Sequence, residues 1–223
     1  MYYINSFKMI KIAPSILAAD LIDIKNEVKL VDESGAEYIH IDVMDGHYVP
    51  NITFGPNIVQ SLRPITKKIL DVHLMISPVE QYIDHFINAG ADILSFHPEA
   101  DNKPDEIIKN IKDKGCKAGI AIHPSIKIGE VNHFLKLVDI VVVMTVVPGF
   151  GGQKFMDSEV KKIIELKKIK DQEKLSFEIE IDGGINDKTA QICKKNGANV
   201  LVAGSYLFSD NKENYKTRID SLR

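Results

Sequence analysis

A short run of β-branched and aliphatic residues followed by a longer amphipathic stretch recurs from one end of the chain to the other, and that alternation leaves few folds open. The strand-like runs centre on Ile12, Ile39, Leu70, Ile93, Gly119, Val142, Ile179 and Leu201. They stand about 27 residues apart on average, which is what a strand plus a crossover helix requires. Helical periodicity fills the intervals, as at 21–33, 79–88, 104–114, 158–170 and 187–196. Gly35, Gly90, Gly115 and Gly197 close four of these stretches, where left-handed C-terminal caps are expected. The Lys-rich run at 161–174 reads as the solvated face of one such helix. No linker or low-complexity tract interrupts the pattern. The expectation is one α/β domain over residues 1–223, with 1–9 as a short extension leading into the first strand.

Eight such units can close into a barrel or remain an open doubly wound sheet. A closed eight-fold barrel needs about 200 residues, and the chain has 223. Strand alternation decides between the two. His40, Asp42 and Met44 share one face opposite Ile39, Ile41 and Val43. Asp71, His73 and Met75 oppose Leu70, Val72 and Leu74, while Glu178, Glu180 and Asp182 oppose Phe177, Ile179 and Ile181. A strand sandwiched between two helical layers would be apolar on both faces. One polar face suits the lumen of a single (β/α)8 TIM barrel with a functional mouth.

His40, Asp42, His73 and Asp182 then converge near the C-terminal strand ends. Two unpaired buried carboxylates would cost several kcal/mol each, and no Lys or Arg shares the lumen face of these three strands. A divalent cation resolves the conflict, with a ligand set suited to zinc, iron(II), manganese or cobalt rather than magnesium or calcium. A second constellation lies in the last loops: Pro148-Gly149-Phe150-Gly151-Gly152-Gln153, Asp182-Gly183-Gly184-Ile185 and Gly204-Ser205. Glycines let backbone N–H groups approach an anion closely, and barrel enzymes commonly place phosphate in these final loops. His97 and Glu99, ending the fourth strand, stand where they could support the site from behind. Asp20 and Asp45-Gly46 read as cap and turn residues.

Several segments carry a resemblance. IAPSIL at 12–17, HIDVMDG at 40–46, VPNITFGP at 49–56, DVHLM at 71–75, VMTVVPGFGGQKF at 143–155, DGGI at 182–185 and AGS at 203–205 resemble the ribulose-phosphate 3-epimerase family, from first strand to last. The resemblance implies a (β/α)8 barrel with one divalent transition metal per subunit. It also implies two-base interconversion of D-ribulose 5-phosphate and D-xylulose 5-phosphate in the pentose phosphate pathway. Carried onto this sequence, it makes His40, Asp42, His73 and Asp182 the metal ligands, and Asp42 and Asp182 the acid/base pair. It gives Ser15, His73 and Asp182 contact with the substrate, and Gly149, Phe150, Gly151, Gly152, Gly183, Gly184, Gly204 and Ser205 the phosphate end. Met44, Met75 and Met144 would cover the enediolate, beside the plainer reading of flexible core filling. The chain departs from the family pattern at His123-Pro124-Ser125, usually Asn-Pro-x-Thr, and at Val147, where Glu or Asn is common. Alternatives within reach are epimerisation of a related ketose phosphate such as D-allulose 6-phosphate, or a phosphate-binding barrel without catalysis.

Partners follow from charge and composition. There are 28 Lys and Arg against 31 Asp and Glu, a net charge of −3 that offers no basic excess for nucleic acid. The longest apolar run, 140–147, has strand length, and no signal-peptide core is expected at the start. Cys116 and Cys193 are too few for a disulfide framework and read as packed thiols in a reducing, cytoplasmic setting. The expected partner is a small sugar phosphate, with no nucleic acid and no membrane, in a homo-oligomer as the resemblance implies.

Overall fold

The computed structural model describes residues 10–209 and 211–223; the extension expected at 1–9 lies outside the described residues. Eight parallel strands form one sheet: β1 (Lys11–Pro14), β2 (Tyr38–Met44), β3 (Ile69–Met75), β4 (Ile93–Phe96), β5 (Lys117–Ile122), β6 (Ile140–Met144), β7 (Glu178–Asp182) and β8 (Val200–Ala203). They pair in the order β1-β8-β7-β6-β5-β4-β3-β2. A parallel bridge between Ser15 and His40 closes the ring where β1 meets β2. All eight centres expected from the sequence lie within these strands. The chain is a (β/α)8 barrel.

Helices alternate with the strands: α1 (Ile24–Glu33), α2 (Pro56–Leu62), α3 (Ile83–Ala89), α4 (Pro104–Asp113), α5 (Ile128–Val131), α6 (Val160–Glu173), α7 (Asp187–Lys195), α8 (Ser205–Phe208) and α9 (Tyr215–Leu222). Their apolar faces and the outward strand residues, such as Ile39, Ile41, Val72, Ile179 and Ile181, form the main core between sheet and helices. This is the layer that stabilises the ring, at roughly 1.5–3 kcal/mol for each large apolar side chain fully buried. Inside the ring, Ala13, Tyr38, Ile93, Ile140, Val200 and Val202 form a second cluster, of which Val202 also borders the cavity at the mouth. Above them sit Met44, Val49 and Met75. No described helix is long and apolar enough to cross a membrane.

Local expectations fare well, with two adjustments. Gly35, Gly90, Gly115 and Gly197 all take positive φ, and both cysteines are free and buried. The helical pattern at 79–88 resolves into a 3-10 turn over Glu80–Tyr82 ahead of α3. The Lys-rich run is not uniformly solvated: Lys162 is buried, pairs with Glu159 at 2.7 Å, and donates to the carbonyls of His123 and Pro124. That lysine ties α6 to the loop after β5. There His123 Nδ1 accepts from the Ser125 hydroxyl and backbone, so the departure at His123-Pro124-Ser125 forms a turn closed by its own side chains.

Candidate active site at the barrel mouth

The alternation of β2, β3 and β7 brings the four expected ligands together. One donor atom from each of His40, Asp42, His73 and Asp182 lies within 4.8 Å of all the others. His40 Nε2 stands 3.3 Å from Asp42 Oδ1 and 3.9 Å from Asp182 Oδ2. His73 Nδ1 stands 3.4 Å and 3.5 Å from the same two oxygens. Donors around a cation at about 2.1 Å are spaced about 3–3.5 Å apart, so this cluster has the right size to hold one. His73 Nδ1 is buried and makes no hydrogen bond, although it points into the cluster. Such an orphaned donor fits a ligand role. The two imidazoles face the cluster through different nitrogens, His40 through Nε2 and His73 through Nδ1.

The reverse side of each ring is engaged. His40 Nδ1 lies 2.7 Å from Asp71 Oδ2 and 3.4 Å from Glu180 Oε1, all fully buried. His73 Nε2 lies 3.1 Å from His97 Nε2. Burial pushes the His40 imidazole down, but Asp42 and Asp71 overcome this and hold it well above its usual range. His73 follows the same logic, with Asp182 and Asp42 outweighing burial. For Asp42 burial acts upward, yet His40 and His73 bring its carboxyl well below the carboxylate range. Ser15 adds to this by donating its hydroxyl to Asp42 Oδ2 at 2.6 Å. Glu180 goes the other way: burial, then repulsion from Asp71, hold its carboxyl well above its usual range. Burial takes His97 down to about 4.

Above the cluster opens a cavity of about 320 Å³. It is lined by Ser15, Asp42, Asp182, the three expected methionines and every expected loop residue: Gly149, Phe150, Gly151, Gly152, Gly183, Gly184, Gly204 and Ser205. His40 and His73 lie beneath it, fully buried. Gly183 and Gly184 have φ of 122° and 66°. A Cβ on Gly184 would fall 2.5 Å from the backbone nitrogen of Phe155, so only glycine lets the loops after β6 and β7 nest together. Gln153 Nε2 donates to the carbonyls of Val147 and Phe150 and holds the β6 loop. Asn51 Nδ2 reaches Gly149 O across from the β2 loop. Val147 and Phe150 themselves are half exposed at the rim.

The cavity also takes in residues that no sequence motif marks, among them Ala18, Asn186, Tyr206, Ser209 and Arg218. Arg218 of α9 borders the cavity as the only lysine or arginine among the described lining residues, with its guanidinium 4.5 Å from the Tyr206 ring. A single arginine on the terminal helix carries no local motif, because α9 reaches the mouth only through the closure of the barrel. Asp45 and Asp20 act as expected: Asp45 accepts from the backbone of His47, Tyr48 and Ser77, and Asp20 from Ile22.

The mouth of this (β/α)8 barrel sets two imidazoles and two carboxylates, a group that could hold a metal ion, beside a glycine-lined recess of a size for a small ligand. Residues 11–208 match the model of the ribulose-phosphate 3 epimerase family. The chain is 50% identical over 208 residues to the ribulose-phosphate 3-epimerase of Bacillus subtilis strain 168, covering 92% of this chain and 96% of that one. It is 44% identical to the enzyme of the same name from Synechocystis, over 97% of this chain and 94% of the relative. The chain belongs to the ribulose-phosphate 3-epimerase family. Among solved structures, 3-keto-L-gulonate-6-phosphate decarboxylase from Vibrio cholerae aligns with a TM-score of 0.71 at 15% identity, over 97% of this chain and 96% of that one. That likeness shows the shared fold.

Proposed function

We propose that this chain interconverts D-ribulose 5-phosphate and D-xylulose 5-phosphate by moving a proton at carbon 3, within the pentose phosphate pathway. The observation that carries the reading is the pair Asp42 and Asp182, both in the ligand cluster and both lining the same cavity. Carbon 3 of a 2-ketose is acidified by the neighbouring carbonyl. Inversion there needs one group to take the proton from one face and another to return a proton to the opposite face. Two carboxylates on different strands, β2 and β7, supply that pair. In the direction in which Asp42 removes the proton, Asp182 delivers one to the other face of the planar enediolate. In the reverse direction the roles exchange, so no co-reactant is consumed. The Ser15 hydroxyl, donating to Asp42 Oδ2, favours the ionised form of Asp42 and turns its other oxygen toward the cluster.

Two imidazoles and two carboxylates are a donor set for zinc, iron(II), manganese or cobalt, and one such cation per subunit would supply Lewis-acid stabilisation of the charge developing on the substrate oxygens. Met44, Met75 and Met144, all buried, put thioethers over the reacting carbons, where they exclude water without competing as hydrogen-bond partners. The phosphate end is assigned to Gly149, Phe150, Gly151, Gly152, Gly183, Gly184, Gly204 and Ser205, with Arg218 adding a positive charge at the rim. The same proposal treats the chain as one barrel domain, cytoplasmic and homo-oligomeric in solution.

The test is deuterium incorporation at carbon 3 of ribulose 5-phosphate in heavy water, with conversion to xylulose 5-phosphate followed alongside. Exchange and conversion together are expected, and no exchange by metal-loaded protein overturns the reading. Faster turnover of D-allulose 6-phosphate in competition would reassign the substrate.

A further inference from the structure

Behind His73 lies a chain of groups that the reaction does not use. His97, immediately after β4, is fully buried. Its Nε2 lies 3.1 Å from His73 Nε2. Its Nδ1, without a hydrogen bond of its own, stands 3.5 Å from Glu99 Oε1. Tyr48 stacks on the His97 ring with centroids 4.7 Å apart, and its hydroxyl donates to the same Glu99 oxygen at 2.9 Å. Glu99 is the partly exposed end of the series, its side chain 32% accessible.

Proton bookkeeping orders these groups. Two ring nitrogens 3.1 Å apart share one N–H, so one donates and the other accepts. A His73 ring that offers the bare Nδ1 to a cation carries its proton on Nε2 and must donate to His97. The His97 Nε2 then accepts, and its own proton sits on Nδ1 facing the Glu99 carboxylate. Every donor points outward, from His73 through His97 to Glu99, and Tyr48 pins both the ring and the carboxylate at the end.

We propose that His97, backed by Glu99 and Tyr48, is a positioning residue that locks the tautomer and the ring orientation of His73 so that Nδ1 is presented to the cation. It touches neither substrate nor cation, and it answers for β3 what Asp71 does for His40 on β2. The inference rests on the cation-binding reading of the cluster. A packing role alone makes a different prediction, because leucine would fill an apolar slot at least as well as glutamine.

The measurement is the cobalt(II) dissociation constant, read by chelator competition from the cobalt-loaded protein, with the visible ligand-field bands as a report on geometry. His97→Leu, which leaves the His73 N–H without an acceptor, is expected to weaken cobalt binding about 10–100-fold and to alter those bands. His97→Gln, whose side-chain carbonyl can still accept, should restore most of the loss. Glu99→Gln, at the exposed end and not a folding risk, should weaken binding by a smaller but measurable factor. Equal affinity for wild type, His97→Leu and Glu99→Gln overturns the proposal, as does equal weakening by Leu and Gln at 97. If His97→Leu fails to fold, unchanged affinity in Glu99→Gln still overturns it. A wild-type protein that holds no cation at all would remove the cation reading and this inference with it, an outcome distinct from the others.

Discussion

Three carboxyls of β7 point into the barrel in succession, and the two ends of that row meet opposite environments. At the N-terminal end, Glu178 accepts from Lys11 Nζ at 2.6 Å and from the Tyr38 hydroxyl at 2.7 Å, while Lys11 also reaches the Tyr38 oxygen at 2.9 Å. Every polar group there has a protein partner of the right sign. At the C-terminal end, Asp182 shares its space with Asp42 and two imidazoles. In the layer below, Asp71 Oδ1 and both oxygens of Glu180 are left without hydrogen bonds. At the floor one carboxylate has its own lysine, whereas at the mouth and in the layer beneath it four carboxyls share two imidazoles, an arrangement with room for a further positive charge. The floor of the lumen is finished by the chain itself. The mouth, on the function proposed above, is completed by a ligand.

Breaking the mouth should therefore cost activity and leave the ring standing. Asp42→Asn or Asp182→Asn is expected to lower turnover by about 10²–10⁴-fold or more with unchanged circular dichroism; a near-native rate in either defeats the two-base assignment. Removing the cation by chelation should stop carbon-3 exchange, and adding zinc, manganese or cobalt back should restore it. Full exchange by rigorously metal-free protein would refute the charge argument.

Breaking the floor should do the reverse. Lys11→Met strands the Glu178 carboxylate and is expected to cost about 1–3 kcal/mol of stability, measured by denaturant unfolding, with little change in rate. The pH dependence sharpens this. Burial would raise the Glu178 carboxyl, but Lys11 and Tyr38 hold it below its usual range. Its contribution is thus present above the unfolded carboxylate pKa of about 4.3 and disappears as pH falls through the lower folded value. The gap between wild type and Lys11→Met should close on acidification, and a gap that widens would contradict the pairing. The smallest effect is expected at the rim. Arg218→Gln should raise KM and weaken inhibition by inorganic phosphate by about two- to fivefold, leaving kcat unchanged; no change in either removes Arg218 from the phosphate end.

Much of this molecule is legible before any coordinates. Strand alternation depends on local backbone sterics, so the lumen-facing sets on β2, β3 and β7 can be read residue by residue. The glycine loops are legible for the same local reason, since a positive φ or a close approach excludes other side chains. Less was visible where a residue's fate depends on distant chain. Lys162 reads as one more solvated lysine and is instead buried against the loop after β5. Arg218 carries no signal in the sequence and borders the cavity.

By itself the sequence determined that eight βα units close into a barrel, and which four side chains share its mouth. The tertiary structure alone decided which nitrogen each histidine presents, and that Glu178 meets a lysine 167 residues away while Asp182 meets two histidines and a second carboxylate. The physical reason is that periodicity sets which face a side chain occupies. The stagger of eight strands sets which layer it occupies, and so which partners it meets there.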